Sequence, residues 1–278
     1  MALTATANQL AVYLDNWAIG GLAEGDADRR TRFLNAINTG ADLLFSVANA
    51  AELSGPQGKS ADAIRSFLDE IGPRWYPVEL GTVEIVKREA NGASADAACF
   101  SRQFLQDYFE IRLRDYGPGI VDFNKILSLG SVLDWTGPQR DKIRTSNVEL
   151  DNILRKWIEL GVEETKKNKQ WLEEKHPAIP FDPAKRCQFA YKNLIRILMR
   201  DGMPVAKNDG MDLSHAVVGT AFAHFAALDK RWKHRVARFP APNDMARVYS
   251  GPLGLDALVS DLESKMHRAG LSSISQTV

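Results

Sequence analysis

Residues 208–232 read NDGMDLSHAVVGTAFAHFAALDKRW, and their order decides the fold. Asp209 to Ala223 predicts a helix and Phe225 to Leu228 a short strand. Lys230 to Arg238 predicts a second, basic helix. One acid, Asp212, falls in the first turn of the first helix; another, Asp229, ends the strand. The question is whether these acids only punctuate local structure or meet in space.

Working outward, the same alternation recurs. Leu10 to Leu14 is a short apolar run ending at Asp15, which reads as a buried strand. Phe33, Leu34 and Ile37 give residues 26–38 helical spacing, with Gly40 as the stop. Leu43 to Val47 is a second strand, running into the helix formers Ala48 to Leu53 before Gly55 and Pro56. Strand–helix–strand–helix at this spacing predicts crossover connections and a parallel sheet. Toward the other end, Ala190, Leu194, Ile197 and Leu198 form one apolar helical face. Residues 246–249 predict a last strand, Leu255 to Met266 a closing helix, and residues 267–278 a tail.

Residues 60–188 differ. Ser60 to Ile71, Ala95 to Arg112 and the stripe Leu150, Ile153, Leu154, Trp157, Ile158 are helical, and Val162 to Lys175 is strongly charged. Gly117-Pro118-Gly119 and Gly137-Pro138 supply breaks, and no strand is evident. The expected fold class is therefore α/β, a three-layer α/β/α arrangement with a short central parallel sheet. Residues 1–59 and 189–278 form its discontinuous core, and residues 60–188 a mostly helical insertion; a separate helical domain is the competing description.

Composition bounds the function. With 45% hydrophobic and 25% charged residues the chain can bury a substantial core. Lysine plus arginine equals aspartate plus glutamate at 35 each, so no bulk charge signals nucleic acid, although a local basic surface is compatible with it. Cys99 and Cys187 are far apart with no CxxC pairing, which suits a reducing compartment and argues against a zinc site. No signal peptide and no membrane span are read, so a cytoplasmic location is expected.

In an open parallel sheet the working crevice lies outside the carboxyl ends of the strands. Asp15, Glu52 and Asp229 all fall there, and Asp212 reaches it if its helix begins at that edge. Crowded carboxylates raise one another's pKa, and a hard divalent cation, Mg2+ or Mn2+, relieves the repulsion through oxygen ligands. Each acid also has a structural reading. Asp209 and Asp212 are spaced as a helix cap pair, Asp15 and Asp229 suit turns, and Glu52 suits a solvated helix face. Asn16 is a candidate for holding a water or phosphate, or a turn residue. His215, one turn from Asp212, either contacts phosphate or bonds within the core. Lys230 and Arg231, with further basic residues around Trp232, suit a phosphate backbone or a solvated helix.

The fragments VYLDNW, FSVANAAELSG, the 208–232 stretch and ARVYSGPLGLDALVSDLE, in this order, resemble PIN-domain proteins over residues 8–56 and 190–267. The resemblance implies a metal-dependent ribonuclease, with Asp15, Glu52, Asp212 and Asp229 as its four acids and products ending in 5′-phosphate and 3′-hydroxyl. Many members are toxins of toxin–antitoxin pairs. An antitoxin protein and a second copy of the chain are thus candidate partners beside RNA. The chain departs from the pattern at His224, where an acid is common, and at Ala227, where a hydroxyl residue is common. A catalytically weak or inactive RNA- or protein-binding module is the alternative.

Overall fold

Leu10–Leu14, strand β1, is buried along all five residues, as expected of a strand covered on both faces. A computed structural model describes residues 10–55, 58–116, 126–202, 206 and 209–268. β1 pairs in parallel with β2 (Ala41–Phe45) on one side and β4 (Phe225–Ala227) on the other, with Val12 opposite Leu43 and Phe225. β3 (Trp75–Pro77) extends β2 and β5 (Arg247–Tyr249) extends β4, also in parallel. The order is β3-β2-β1-β4-β5. The chain runs outward from β1 to β3, then returns to the other side of β1. That reversal opens the crevice between the carboxyl ends of β1 and β4.

The period of two along each strand divides the core. Leu10, Val12, Leu14, Leu43, Phe45, Phe225 and Ala227 enter one apolar cluster; Ala11, Tyr13, Leu44 and Ala226 enter another. The first is completed by α1 (Asn16–Ala23), α2 (Ala27–Gly40), α4 (Lys59–Ile71), α7 (Arg102–Tyr116), α8 (Leu129–Thr136) and α14 (Pro252–Arg268). The second is completed by α5 (Thr82–Ala90), α9 (Arg140–Lys167), α10 (Lys169–Lys175), α11 (Arg186–Asp201), α12 (Asp209–Phe222) and α13 (Lys230–Val236). Helix α3 (Val47–Leu53) touches both, and α6 (Ala95–Cys99) joins the second. Helices thus cover both faces of an all-parallel sheet.

Two expectations need correction. Residues 60–188 are not free of strands, since β3 is an edge strand of the central sheet and α4 is its crossover from β2. That segment also supplies Phe67, Tyr108 and Trp135 to the first cluster and Ile158 and Leu172 to the second, so it packs as part of the core. The helix expected over Ala95 to Arg112 is two helices, broken at Phe100 and Ser101, where Phe100 bridges to Val78. The break at Gly117-Pro118-Gly119 and the tail beyond Arg268 lie outside the described residues. Among the described residues no helix is long and apolar enough to cross a membrane.

Candidate functional site

Asp15, Glu52 and Asp229 each come from a segment where a helix starts after a strand stops, and Asp212 from the first turn of α12, the helix that leads into β4. Asp15 follows β1 directly and caps α1, its carboxylate accepting from the Asn16 N–H at 2.7 Å while its own N–H donates to the Ala227 carbonyl at 3.0 Å. That second bond ties Asp15 to the end of β4. α3 starts after β2 with a capping box, Ser46 and Asn49 satisfying each other's backbone N–H groups. Glu52 then stands exposed on the next turn. Asp212 is half-buried in the first turn of α12, and Asp229 is exposed at the start of α13 with no cap hydrogen bond from its carboxylate.

The four acids gather at one edge, and their charges act on a shared set of groups. Burial pushes the Asp15 carboxyl up to about 6; the Asn16 N–H opposes this, Asp229 adds to it and Arg231 subtracts. Asp212 is also raised, by burial first, with Arg231 lowering it and Asp15 raising it. Beneath them, Tyr13 projects from β1 into the second cluster. Burial, then the charge of Asp15, holds its hydroxyl well above the ordinary value, with Glu52 and Asp212 adding to the effect. Tyr13 keeps its proton, and its hydroxyl is hydrogen-bonded to Nδ1 of His215.

The individual side chains depart from the expectation of a single cage. Asn16 donates to the Glu52 carboxylate and accepts from the Asn49 amide at 3.0 Å, so it braces α1 against α3. Arg231 forms ion pairs with both Asp209 and Asp212, so it does not stand free for a phosphate; it balances the acids instead. His215 is only 4% exposed and spends its ring on Tyr13, and burial lowers its pKa. It is a neutral core histidine that supports the site from below, and the phosphate-contacting reading is corrected. Lys230 is exposed beyond Asp229. Trp232 packs inward at 2% exposure, with the Arg235 guanidinium 4.7 Å from its ring centre. His224 accepts from the Ala11 N–H at the amino edge of the sheet, the opposite end from Asp15, so its identity has no bearing on the acid cluster.

The donor chemistry can be weighed against a metal. Among the described residues no three His, Cys, Asp or Glu side chains stand close enough to hold an ion by themselves. The available donors are nevertheless all hard: carboxylate oxygens, with the nearby imidazole committed to Tyr13. Magnesium usually takes one or two carboxylates and keeps several waters. Asp15 with Asp229 or Asp212 suits that mode, and a cation there would offset the burial and the neighbouring charge that raise the Asp15 carboxyl.

Sequence reasoning missed four participants: Tyr13, Asn49, Asp209 as a partner of Arg231, and a basic wall. Glu52 and Asp212 line one side of a cleft of about 380 Å3 whose other side is Arg140, Arg144 and Asn147 of α9. The i, i+4 spacing of the two arginines was the available signal. No protein-family model, curated protein or solved structure matches the chain.

Proposed function

We propose that this protein is a divalent-metal-dependent endoribonuclease with a PIN-like core. The observation that carries the reading is Asp15, fixed at the crevice by its N–H bond to the Ala227 carbonyl at the end of β4. Burial first, and the charge of Asp229 after it, push its carboxyl up to about 6. Perturbed acids in a cleft are candidates for chemistry. A bound Mg2+ or Mn2+ supplies an activated water and a positive charge for the leaving oxygen. Asp15, Asp212 and Asp229 are the residues to hold it, with Glu52 facing them across the Asn16 bridge. Arg231 pairs with Asp212 and opposes the effect of its burial. Tyr13 and His215 fill the floor and exclude water from beneath Asp15. Hydrolysis leaves a 5′-phosphate and a 3′-hydroxyl. From the sequence pattern we place the protein in the cytoplasm, with an antitoxin protein, as the resemblance implies, or a second copy of the chain as its protein partner.

The test is cleavage of mixed RNA in Mn2+ by the wild type, Asp15→Asn and Asp212→Asn. Loss of cleavage in both variants supports the reading, and equal residual activity in all three overturns it. One observation favours a second reading, a non-catalytic RNA- or protein-binding module: Arg231 already neutralises Asp209 and Asp212. Calorimetry separates the two, because Mn2+ binding that disappears in Asp15→Asn supports the enzyme, and no Mn2+ binding at all supports the module.

A further inference from the structure

Helix α9 begins at the acid cluster, and its first turns face the site. Arg140 and Arg144, one turn apart, line the cleft opposite Glu52 and Asp212. Two guanidiniums at i, i+4 repel each other, and among the described residues neither has an ion-pair partner. The Arg140 guanidinium is held over the backbone of Gly55 at the end of α3, where a Cβ would run into it. Its Nε is buried without a hydrogen-bond partner. This arginine therefore lies against Gly55 with no ion-pair partner among the described residues.

Asp151, which also lines the cleft, spends its carboxylate on the backbone N–H groups of Gly210 and Met211. The cleft thus has a positive wall on α9 and a negative wall on α3 and α12. Arginine forks match phosphate oxygens in pairs. Asn147 adds a carboxamide and Val148, 44% exposed, an apolar patch beside them. At about 380 Å3 the space is at the small end of ligand pockets. A space of that size suits a short unpaired stretch better than a duplex.

We infer that the cleft between α3, α12 and α9 binds single-stranded RNA, Arg140 and Arg144 each taking a backbone phosphate beside the acid cluster. The inference deepens the ribonuclease reading and rests on it only for which phosphate is cut. The segment between the second and third acids thereby becomes the substrate-binding wall.

Binding of a labelled single-stranded RNA is measured by anisotropy in EDTA across a range of salt. For single strands the log–log salt slope falls by about 0.7 for each phosphate contact removed. The double variant Arg140→Ala/Arg144→Ala should lower the slope by about 1.4, and Arg144→Glu, at an exposed position, should lower it by at least half that while the fold is retained. Lys142→Ala, on the same helix but outside the cleft, should leave it unchanged. An unchanged slope in Arg144→Glu overturns the inference, as does duplex RNA binding as tightly as the single strand. Single-stranded DNA of the same sequence binding more tightly than RNA overturns the assignment to RNA. If the wild type binds with the expected slopes but does not cleave in Mn2+, the cleft stands and the nuclease reading falls. If it cleaves while the double variant keeps the wild-type slope, the reverse holds.

Discussion

Replacing Asp15 by Asn should make the protein more stable above neutrality while destroying its site. Burial raises the folded-state pKa of Asp15 from the ordinary 3.8 to about 6. Between those values the native state binds more protons than the unfolded chain, so stability falls as pH rises through the window. The loss is absent below pH 3.8 and complete above about 6. At about 1.4 kcal/mol per pKa unit, the full penalty is about 3 kcal/mol. Asparagine keeps an oxygen for the Asn16 N–H and is as good an N-cap as aspartate, so the cap itself survives. Urea unfolding in EDTA should therefore show Asp15→Asn level with the wild type near pH 4 and about 3 kcal/mol more stable at pH 8. Saturating Mn2+ adds about 2.7 kcal/mol to a protein that binds it at a hundred times the dissociation constant. Added metal should thus erase the difference at pH 8 by stabilising only the wild type. A constant difference between the two proteins from pH 4 to pH 8 would refute the claim that Asp15 carries a buried, strained charge.

The other side chains around the crevice give shorter tests. Arg231→Gln removes the ion-pair partner of Asp209, a residue 2% exposed, and should cost about 3 kcal/mol in urea unfolding at pH 7. Tyr13→Phe leaves the buried Nδ1 of His215 without its hydrogen-bond partner and should cost roughly 1–3 kcal/mol, read by thermal unfolding. Gly219→Ala should cost about as much by overpacking, because a Cβ there would run into the Tyr13 ring.

The sheet was legible where strands are buried on both faces. Leu10–Leu14 is a continuous apolar run, and so is Leu43–Phe45 at the end of β2, where the helix formers that follow mark α3. β3 was hidden because Trp75-Tyr76-Pro77 is three residues long and ends in proline, which an edge strand tolerates and a pattern search rejects. Helix α1 was missed for a different reason. Its residues NWAIGGLA hold two glycines and almost no polar face, so nothing amphipathic marks it; burial and the Asp15 cap hold it. The edge at which the acids collect followed from topology alone. Which acid is paired did not, because it depends on rotamers: Arg231 lies two residues beyond Asp229 yet turns back to Asp209 and Asp212. Nor could spacing reveal that α9 crosses the sheet edge close enough for Arg140 to rest on Gly55.

That crossing also explains why the long intervening segment is part of the site. The first N–H groups of a helix have no partners within it, and α12 carries Asp212 in that first turn. Asp151 of α9 supplies the missing acceptor, its Oδ1 taking the N–H groups of Gly210 at 2.8 Å and Met211 at 3.3 Å. The approach is close: a Cβ at Gly210 would stand 3.0 Å from the Asp151 backbone, so glycine lets the two helices meet. A carboxylate at a helix N-terminus also gains from the helix dipole. Asp151→Asn keeps an acceptor oxygen and forfeits only the charge, which should cost under about 1 kcal/mol. Asp151→Ala leaves two buried N–H groups unpaired and should cost roughly 1–3 kcal/mol more. Because those groups flank Asp212, Mn2+ affinity measured by calorimetry should fall in Asp151→Ala and hold in Asp151→Asn. If the two variants behave alike in unfolding and in Mn2+ binding, α9 does not position the third acid, and its contact with α12 is packing alone.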